Sequence, residues 1–483
     1  MKNILKNNFK ILLTLILLLS LLSCKKSFLE VVPKGKLIAS TTNDYNMIMN
    51  SSTFTNYTLA TLYTALGDEL IARDPFFGVR TLIDQRLFRY EDNIYNPEVD
   101  PTEISALTKS LYLFNKVINE VMDSDGGTDD EKRAIKAEAL TGRAWVYIHY
   151  TNLFTKPYNS STAATDLGFP LIMESDINKS PYSRATLNEV YNFMINDLTT
   201  AIPDLPLIVS SRHRASRGLA KSLLGKVYLA MGKYPEALTN VNDAISIITA
   251  NTGVPTRIYD FNIEMAVGGA LYSASMATSG PNLITSPNNV ESIYGKQDVN
   301  SHISTANNYF VLSPEVTALY GINDLRRKYY NTTTLTYPIG CMRRIAPIIQ
   351  ATGMNIPEIY LMRAECRARA NSLYGAGSAA EDLLFLRQKR MPNADAVVPV
   401  GYTQTQMIKY VMDERLRELA FTGTRWFDMR RLSVDPLFSA NTYTHKLYYA
   451  TGTIDSYILR PERLTLRIPT RILNDNPGMK DNP

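Results

Sequence analysis

The fold of this chain is decided by the stretch RGLAKSLLGKVYLAMGKYPEALTNVNDAISIITA, residues 217–250. Apolar residues recur in it at three- and four-residue spacing, which is typical of amphipathic helices. Small residues at fixed places indicate two packed helices: Gly225 would let them approach closely, and Ala237 and Ala244 would keep the second helix near the first. Tyr228 would fill the gap between them. The stretch therefore predicts a helical hairpin.

The spacing of these small and aromatic positions matches a tetratricopeptide repeat. Lys221 departs from the pattern, which has a tryptophan at that place. Residues 139–150 form a weaker relative, with Ala144 and Tyr147 in the glycine and tyrosine roles, and residues 359–390 indicate a third pair of helices. Because one such hairpin cannot bury its apolar face alone, several should stack into an α superhelix.

Further helices are predicted on the amino-terminal side of this repeat. Residues 102–122 have an amphipathic pattern, which a run of Asp, Ser and Gly then ends. Asp129 is expected to cap the next helix, which continues to about Phe154. Thr186 with Glu189 three residues later forms a capping box, so another helix should begin there.

Regular helical patterning fades between about residues 251 and 354, where Gly, Ser, Thr, Asn and Pro are frequent. Long irregular stretches inside a domain are uncommon and tend to be functional. We interpret this insertion as a loop-rich layer over the helical scaffold, with one short helix near residues 313–320. The predicted fold class is mostly α: stacked tetratricopeptide-like helical hairpins with a long loop-rich insertion and few short strands.

The amino terminus has the features of a secretory signal. Three lysines among the first ten residues precede an apolar run at 11–22, which is shorter than the about 20 residues that a membrane-spanning helix needs. The ending Leu-Leu-Ser before Cys24 resembles a bacterial lipobox, which implies cleavage before Cys24 and acylation of that residue; an ordinary signal peptide with a chance cysteine is the alternative. We therefore predict a lipoprotein signal peptide at 1–23, a lipidated arm at 24–40 and a single domain at 41–483.

Composition predicts a globular body. Of the 483 residues, 45% are hydrophobic and 20% are charged, which is typical of globular rather than disordered chains. The formal charge of +5 falls once the three signal lysines are removed from the 51 basic residues, because 48 then face 46 acidic ones. Without a basic tract, nucleic acid is not an expected partner. The only cysteines after Cys24 are Cys341 and Cys366, so a disulfide scaffold is excluded, and these two are either one pair or two isolated buried thiols.

Residues 413–431, DERLRELAFTGTRWFDMRR, hold paired carboxylates of the kind that perform acid–base catalysis. Arginines alternate with them, so we interpret the stretch as ion-paired structure, with Glu418 tied to Arg425. Trp426 and Phe427 are expected in the core, with a ligand platform as the alternative. The four histidines are isolated, and the chain has no ligand-spaced metal motif, phosphate-binding loop or nucleophile elbow. We therefore predict a non-enzymatic protein without metal or cofactor; a hydrolase is the alternative.

Several stretches together carry a family resemblance. SFLEVVP follows the Cys24 region at 27–33, and IP, N-P and NP elements lie between 468 and 483. Between these ends lie AEAL, RAW and a tyrosine at 137–147, the repeat at 224–237, IPEIYLMRAE at 356–365, and the 413–431 stretch. Their content and order resemble the SusD/RagB family of outer-membrane lipoproteins of Bacteroidota, and the likeness spans nearly the whole chain.

The resemblance implies a SusD-like fold and a binding function. Such proteins sit on the outer leaflet of the outer membrane, cap a TonB-dependent β-barrel of the SusC type, and act as a lid that captures glycan or peptide nutrients without catalysis. The helical face is the usual docking side for the barrel, and the loop layer is the usual ligand side. Glycan is the expected ligand because it is commoner in the family; a peptide ligand, or an envelope scaffold without nutrient, are the alternatives. Lys25 and Lys26 depart from the acidic residues that many surface-exposed relatives have after the cysteine.

A sugar-binding site needs a flat ring beside polar side chains, because a sugar offers an apolar ring face and hydroxyl groups. The stretch ARDPFFGVR at 72–80 meets this requirement, and the insertion offers three tyrosines. The predicted ligand-binding residues are Arg73, Asp74, Phe76, Phe77, Arg80, Tyr272, Tyr294 and Tyr309. The alternative role of each is to pin a loop to the scaffold.

Overall fold

The computed structural model describes residues 39–99, 101–176, 178–250, 253–303, 309–331 and 340–483. The predicted signal peptide at 1–23, Cys24, and the arm at 24–40 except its last two residues lie outside the described residues. Within the described ranges, no helix combines the length and the apolar character needed to cross a membrane.

The fold is mostly α, as the sequence predicts. The α-helices of the described residues are α1 (Thr42–Ile48), α2 (Leu59–Leu66), α3 (Leu82–Phe88), α4 (Thr102–Glu120), α5 (Asp129–Phe154), α6 (Leu187–Ala201), α7 (Arg217–Ala230), α8 (Tyr234–Ala250), α9 (Phe261–Glu264), α10 (Met276–Ser279), α11 (Pro314–Thr317), α12 (Ile356–Arg369), α13 (Ala379–Gln388), α14 (Gln404–Leu419), α15 (Thr424–Leu432) and α16 (Thr470–Asp475). Short 3₁₀ turns occupy Ser52–Phe54, Val121–Asp123, Ser286–Asn288, Leu325–Tyr329 and Pro461–Leu464.

The strands are few and short, and they fall in four small sheets of the described residues. They are β1 (Asn56–Tyr57), β2 (Leu70–Arg73), β3 (Ser292–Tyr294), β4 (Gln297–Val299), β5 (Phe310–Leu312), β6 (Tyr330–Asn331), β7 (Arg343–Arg344), β8 (Ile349–Ala351), β9 (Met354–Asn355), β10 (Thr444–Tyr448) and β11 (Ile454–Ile458). The largest sheet has the order β11-β10-β2-β5, in which β2 runs parallel to β10 and antiparallel to β5. A second sheet has the order β1-β4-β8, and β3–β9 and β6–β7 are two-stranded.

The helical scaffold is a stack of hairpins in chain order. Helix α4 packs on α5, α5 on α6, α7 on α8, and α8 on α12, which also packs on α13 and α14. The predicted close approach is present at Gly225, where an added Cβ would lie 2.6 Å from Cγ2 of Val241 and 3.4 Å from the carbonyl oxygen of Ala237. Ala237 and Ala244 are fully buried against this contact. The tetratricopeptide-like hairpin at 217–250 is therefore confirmed, with α7 and α8 as its two helices.

Most of the predicted helix starts are confirmed, and one was wrong by a residue. The Thr186 hydroxyl accepts from the Glu189 backbone, and the Glu189 carboxylate accepts from the Thr186 backbone, so the capping box begins α6 as predicted. For α5, however, the cap is Thr128, which makes the same reciprocal pair with Glu131, and Asp129 is already the first helical residue. A hydroxyl residue with a glutamate three positions later satisfies two backbone N–H groups that have no partner within the helix. Asp129 has a lysine, Lys132, at that position instead.

The insertion predicted at 251–354 is the loop-rich layer. Its described part contains strands β3 to β8 and the short helices α9 to α11, of which α11 lies inside the predicted 313–320 segment. Two of these strands pair with strands from outside the insertion, namely β4 with β1 and β5 with β2. One connected group of buried apolar residues extends from Tyr45 to Ile468 and includes both helical and inserted residues, so the loop layer is fixed to the scaffold by a shared core.

Candidate functional site

The residues at 73–80 leave the end of strand β2 between two neighbouring strands. The backbone N–H of Arg73 donates to the carbonyl oxygen of Tyr309, at 2.9 Å, and the N–H of Asp74 donates to the carbonyl oxygen of Tyr448, also at 2.9 Å. Tyr309 directly precedes β5 in the insertion, and Tyr448 is the last residue of β10. The loop at 74–80 is thus held at an edge where three distant parts of the chain meet.

This arrangement brings six of the eight predicted ligand-binding residues together. They are Arg73, Asp74, Phe76, Phe77, Arg80 and Tyr309. The guanidinium carbon of Arg80 lies 4.1 Å from the centroid of the Tyr309 ring, and that of Arg73 lies 5.4 Å from the centroid of the Phe76 ring. Phe76 is 38% exposed and Val79 is 84% exposed. Of the predicted rings in this group, Phe76 therefore presents the most surface to solvent.

The other predicted rings are occupied in packing. Phe77 is buried against Phe88 and Phe310, and Tyr294 is buried against Trp145 with the Lys296 ammonium 4.0 Å from its ring centroid. Neither ring offers a face to a ligand in this conformation, because the core covers both. The Tyr309 ring is also buried, beneath Arg80.

Tyr272 lies in another part of the insertion. It is half-buried and follows Leu271, which belongs to a small apolar cluster with Tyr259, Phe261 and Met265 that is separate from the main core. The structure therefore does not place Tyr272 with the residues at 73–80.

A polar cleft beside this loop was missed by the sequence analysis. It has a volume of about 770 Å³ and lies between residues 86–97 and residues near Ile458 and Arg460. The Arg86 side chain spans part of the cleft, because its Nη1 donates to Oδ1 of Asn96 at 2.8 Å. Asp92 forms ion pairs with Arg460 and, at 3.1 Å, with Arg463. The cleft joins elements about 370 positions apart, so no local motif marks it.

Arg89 connects the cleft to the loop. Its guanidinium carbon lies 5.4 Å from the Phe77 ring centroid and 6.0 Å from the Tyr457 ring centroid, and the same side chain lines the cleft. The carboxylate of Glu91 lies 3.7 Å from its Nη1. We call the surface formed by residues 73–80, the cleft and the β10–β11 hairpin the loop face.

The hairpin contributes a fixed phenol to the loop face. The Tyr449 hydroxyl donates to Oδ2 of Asp455 at 2.8 Å. This hydrogen bond, together with the charges of Asp455 and Asp74, raises the pKa of Tyr449 to about 12. The hydroxyl is therefore protonated at neutral pH; its one proton is donated to Asp455, and its oxygen can still accept a hydrogen bond from a ligand.

The chemistry of the loop face suits a neutral, hydroxyl-rich ligand. Ring surface at Phe76 and Tyr457 lies near amide and guanidinium groups, and most of the charged groups of the cleft are already ion-paired. Rings can stack on the apolar face of a sugar while Asn and Arg side chains bond its hydroxyls. No group of three His, Cys, Asp or Glu side chains that would hold a metal ion occurs in the part of the chain that the structure describes.

The 413–431 stretch is ion-paired structure, as predicted. Burial by itself would raise the pKa of Glu414, but the guanidiniums of Arg326, Arg417 and Arg387 outweigh it and hold that pKa far below its usual range. Trp426 is fully buried in the core, and Phe427 is partly buried against it. Because Glu414 is ion-paired with three arginines, it is not free to act as a catalytic acid or base.

The predicted pairing of Glu418 with Arg425 was wrong. Glu418 binds Arg390 and Arg326, at 2.7 and 2.9 Å, while Arg425 binds Asp68 at 2.5 Å. Asp68 lies two residues before the start of β2. Its ion pair with Arg425 therefore ties α15 to the strand that leads into the loop face. The partner of Arg425 lies 357 positions away in the chain, which local spacing does not reveal.

The two remaining cysteines are isolated thiols. Cys341 and Cys366 are both free and buried. Burial raises the pKa of each thiol to about 12. The sequence left open either a disulfide between these cysteines or two isolated buried thiols, and the structure has two isolated buried thiols.

Two family models match the chain. The model described as the SusD family matches residues 352–483, and the model described as "Starch-binding associating with outer membrane" matches residues 71–229. The second region includes Arg73 to Arg80 and most of the polar cleft, and the first includes the hairpin of the loop face.

Known proteins agree with these matches. SusD-like protein P2 of Formosa agariphila is 25% identical over 397 residues, which cover 72% of this chain and 75% of that protein. A putative sugar binding protein from Bacteroides vulgatus shares the fold with a TM-score of 0.68 and 19% identity, over 93% of this chain and 99% of that one. A SusD superfamily protein from Bacteroides thetaiotaomicron shares the fold with a TM-score of 0.66 and 17% identity, over 92% of this chain and 100% of that one. The predicted resemblance to the SusD/RagB family is therefore confirmed by the two family models and by the curated relative.

Proposed function

We propose that this protein is a non-catalytic surface lipoprotein that captures an oligosaccharide on its loop face and acts as the lid of a TonB-dependent outer-membrane β-barrel of the SusC type. The observation that carries the proposal is the juxtaposition of the exposed Phe76 ring, the Arg73 and Arg80 side chains and the polar cleft on one side of the molecule. A ring beside clustered hydrogen-bonding groups is the minimum that sugar recognition requires.

Glycan is favoured over peptide by the charge state of the loop face. Asp92, Glu91 and Arg89 are engaged with neighbouring charges, and the Tyr449 hydroxyl is neutral, with its proton donated to Asp455. A peptide terminus or a charged side chain would need a counter-charge, whereas a sugar needs only dipolar hydrogen-bonding groups. One matching family model describes starch-binding proteins that associate with the outer membrane, and one structural neighbour is a putative sugar binding protein; both support the same ligand class.

The anchoring and docking parts of the proposal rest on the sequence and on the similarity to the SusD family. Acylated Cys24 would hold the protein to the outer membrane, and the stacked helical hairpins on the scaffold side would meet the barrel. Residues 41–483 would form one domain, which is supported by the main core that the helical scaffold shares with part of the insertion. Lid opening over the barrel would deliver captured glycan to the transport channel.

The ligand part is tested by titrating the full mature protein with a panel of neutral oligosaccharides and, separately, with peptides of matched length, using isothermal calorimetry. We expect saturable binding of at least one oligosaccharide and none for the peptides. Saturable peptide binding at the loop face would replace glycan by the alternative ligand class. Binding of neither class would favour the alternative of an envelope scaffold.

A further inference from the structure

A second cavity lies between the insertion and the helical scaffold. It has a volume of about 150 Å³. Residues of the insertion line it together with the start of α12 and the end of α14. Of the described residues that line it, none belongs to the loop face. We call it the insertion cavity.

The lining of the insertion cavity has charges of both signs. Its arginines outnumber its carboxylates by one, since the charged residues of the lining are Glu291, Arg326, Arg344, Arg417 and Glu418. Arg417 binds Glu414, which lies outside the lining, at 2.6 Å. The positive charge of Arg417 is therefore balanced by a carboxylate behind the cavity wall.

Both carboxylates of the lining are also paired within the protein. Glu291 and Glu418 each bind Arg390, at 2.7 Å. Glu418 in addition binds Arg326, at 2.9 Å. Neither glutamate is therefore left as an unpaired negative charge in the insertion cavity.

Arg344 differs from these residues, because its charge is not balanced. Tyr330 lies opposite it in the β6–β7 pair, and Nη1 of Arg344 donates to the Tyr330 hydroxyl at 3.0 Å. The guanidinium carbon lies 4.6 Å from the centroid of the Tyr329 ring. Within the described ranges, no carboxylate pairs with Arg344, and neither its buried Nε nor its Nη2 has a hydrogen-bond partner. The side chain is thus fixed in position but has unused donors.

These unused donors fit a carboxylate. Nε and Nη2 form one edge of the planar guanidinium, and such an edge can donate two parallel hydrogen bonds to the two oxygens of a carboxylate. A hydrogen bond between opposite charges is also stronger than one between neutral groups. Because Arg344 is already held by Tyr329 and Tyr330, little side-chain freedom would be lost on binding.

The rest of the lining suits a sugar ring. Aromatic rings come from Tyr259, Phe261 and Tyr329, and amide groups come from Asn282, Asn289, Gln350 and Asn355. Oδ1 of Asn355 is buried without a hydrogen-bond partner, so a hydroxyl group of a ligand would supply the missing donor. The volume admits one six-membered ring, since an engineered cavity of about 150 Å³ binds benzene.

We propose that the insertion cavity binds one six-membered sugar ring that has a carboxylate, such as glucuronate, with the carboxylate on Arg344. This site goes beyond the proposed function, because it is separate from the loop face and has the opposite charge requirement. The loop face suits neutral sugars, whereas the insertion cavity selects an acidic one.

The test is calorimetric titration of the full mature protein with three small molecules. Glucuronate is the expected ligand, glucose is its uncharged counterpart, and acetate has the carboxylate without the ring. We expect saturable binding of glucuronate and at least tenfold weaker binding of the other two. No binding of glucuronate, or equal affinity for glucose or acetate, would overturn the proposal.

A pair of variants tests the role of Arg344. Arg344→Gln removes the unpaired guanidinium, so we expect it to raise the Kd for glucuronate at least tenfold. Arg327→Gln is the matched control, because it removes a guanidinium from the adjacent 3₁₀ turn, outside the described lining. Equal effects of the two substitutions would contradict a specific role for Arg344.

This site and the proposed function can fail independently. Phe76→Ala changes the loop face only, so we expect it to leave the Kd for glucuronate unchanged. Loss of glucuronate binding in this variant would put the acidic sugar on the loop face and overturn the separate site. Glucuronate binding in a protein that binds no neutral oligosaccharide would uphold the insertion cavity and contradict the proposed ligand of the loop face.

Discussion

The guanidinium of Arg80 lies 4.1 Å from the centroid of the Tyr309 ring, which joins the loop after β2 to the insertion. The same guanidinium donates to Asp84 at 2.9 Å, and the Tyr309 hydroxyl donates to the carbonyl oxygen of Ser301 at 2.8 Å. Each of these two side chains is therefore also fixed by a hydrogen bond to a second partner. They fix the carboxyl end of the loop at 74–80, which carries the exposed Phe76 side chain.

Replacing the exposed ring should weaken ligand binding without affecting folding. We expect Phe76→Ala to raise the Kd for the bound oligosaccharide about tenfold, which corresponds to about 1.4 kcal/mol, because the variant loses the stacking surface. Calorimetric titration measures this change. Val79→Ala in the same loop is the matched control, since Val79 is more exposed but has no ring. Equal losses in the two variants would show that the ring is not part of the site.

The close contact of the repeat makes a prediction about stability. An added Cβ at Gly225 would lie 2.6 Å from Cγ2 of Val241, so Gly225→Leu should push α7 and α8 apart. Overpacking of this kind typically costs about 1–3 kcal/mol of unfolding free energy. Urea unfolding measures it, with Ser246→Ala at an exposed position of α8 as the control. A variant as stable as the native protein would contradict this account of the hairpin.

The cluster around Glu414 predicts a loss of stability in acid. Its pKa lies well below the ordinary 4.5, because Arg326, Arg417 and Arg387 favour the carboxylate more than burial disfavours it. The folded state therefore binds this proton less tightly than the unfolded chain. The stabilisation is fully present above about pH 4.5 and is lost as the pH falls below that value.

Glu414→Gln isolates this effect. It should lower the unfolding free energy at pH 7 by about 3–5 kcal/mol, since it leaves buried guanidiniums without their partner. It should also flatten the pH dependence below about pH 4.5, which urea unfolding at a series of pH values measures. An unaltered acid dependence would mean that other carboxylates carry the effect.

The lipid anchor has its own test. Cys24→Ala removes the proposed acylation site, so we expect the protein to move from the membrane fraction to the soluble fraction. Immunoblots of the two fractions measure the distribution, and Cys366→Ala, which changes a buried thiol of the body, is the control. Retention of Cys24→Ala in the membrane fraction would contradict anchoring through this residue.

Helical features were predictable from the sequence because their causes are local. Gly225 and the Thr186–Glu189 box act over a few positions, so spacing alone reveals them. The partner of Arg425 was not predictable, because Asp68 lies 357 positions away in the chain. The loop-rich layer was recognised, but its strands are only two or three residues long and have no periodicity to detect.

The candidate site was likewise predictable only in part from the sequence. Aromatic residues on irregular segments were identified as candidates, yet sequence could not distinguish Phe76, which projects into solvent, from Phe77, which packs on Phe88. Neighbouring side chains of a loop point in different directions, and only the surrounding fold decides which is covered. The polar cleft escaped notice because Arg460 joins residues 86–97 only after folding.

The central claim is that this protein works as the lid of an importer, and co-purification tests it most directly. The native lipoprotein is extracted from its own outer membrane in mild detergent and purified, and the proteins that accompany it are identified and quantified by mass spectrometry. We predict a TonB-dependent β-barrel in near-equal amount. Recovery of the lipoprotein alone, or with other envelope proteins and no such barrel, would contradict the lid function.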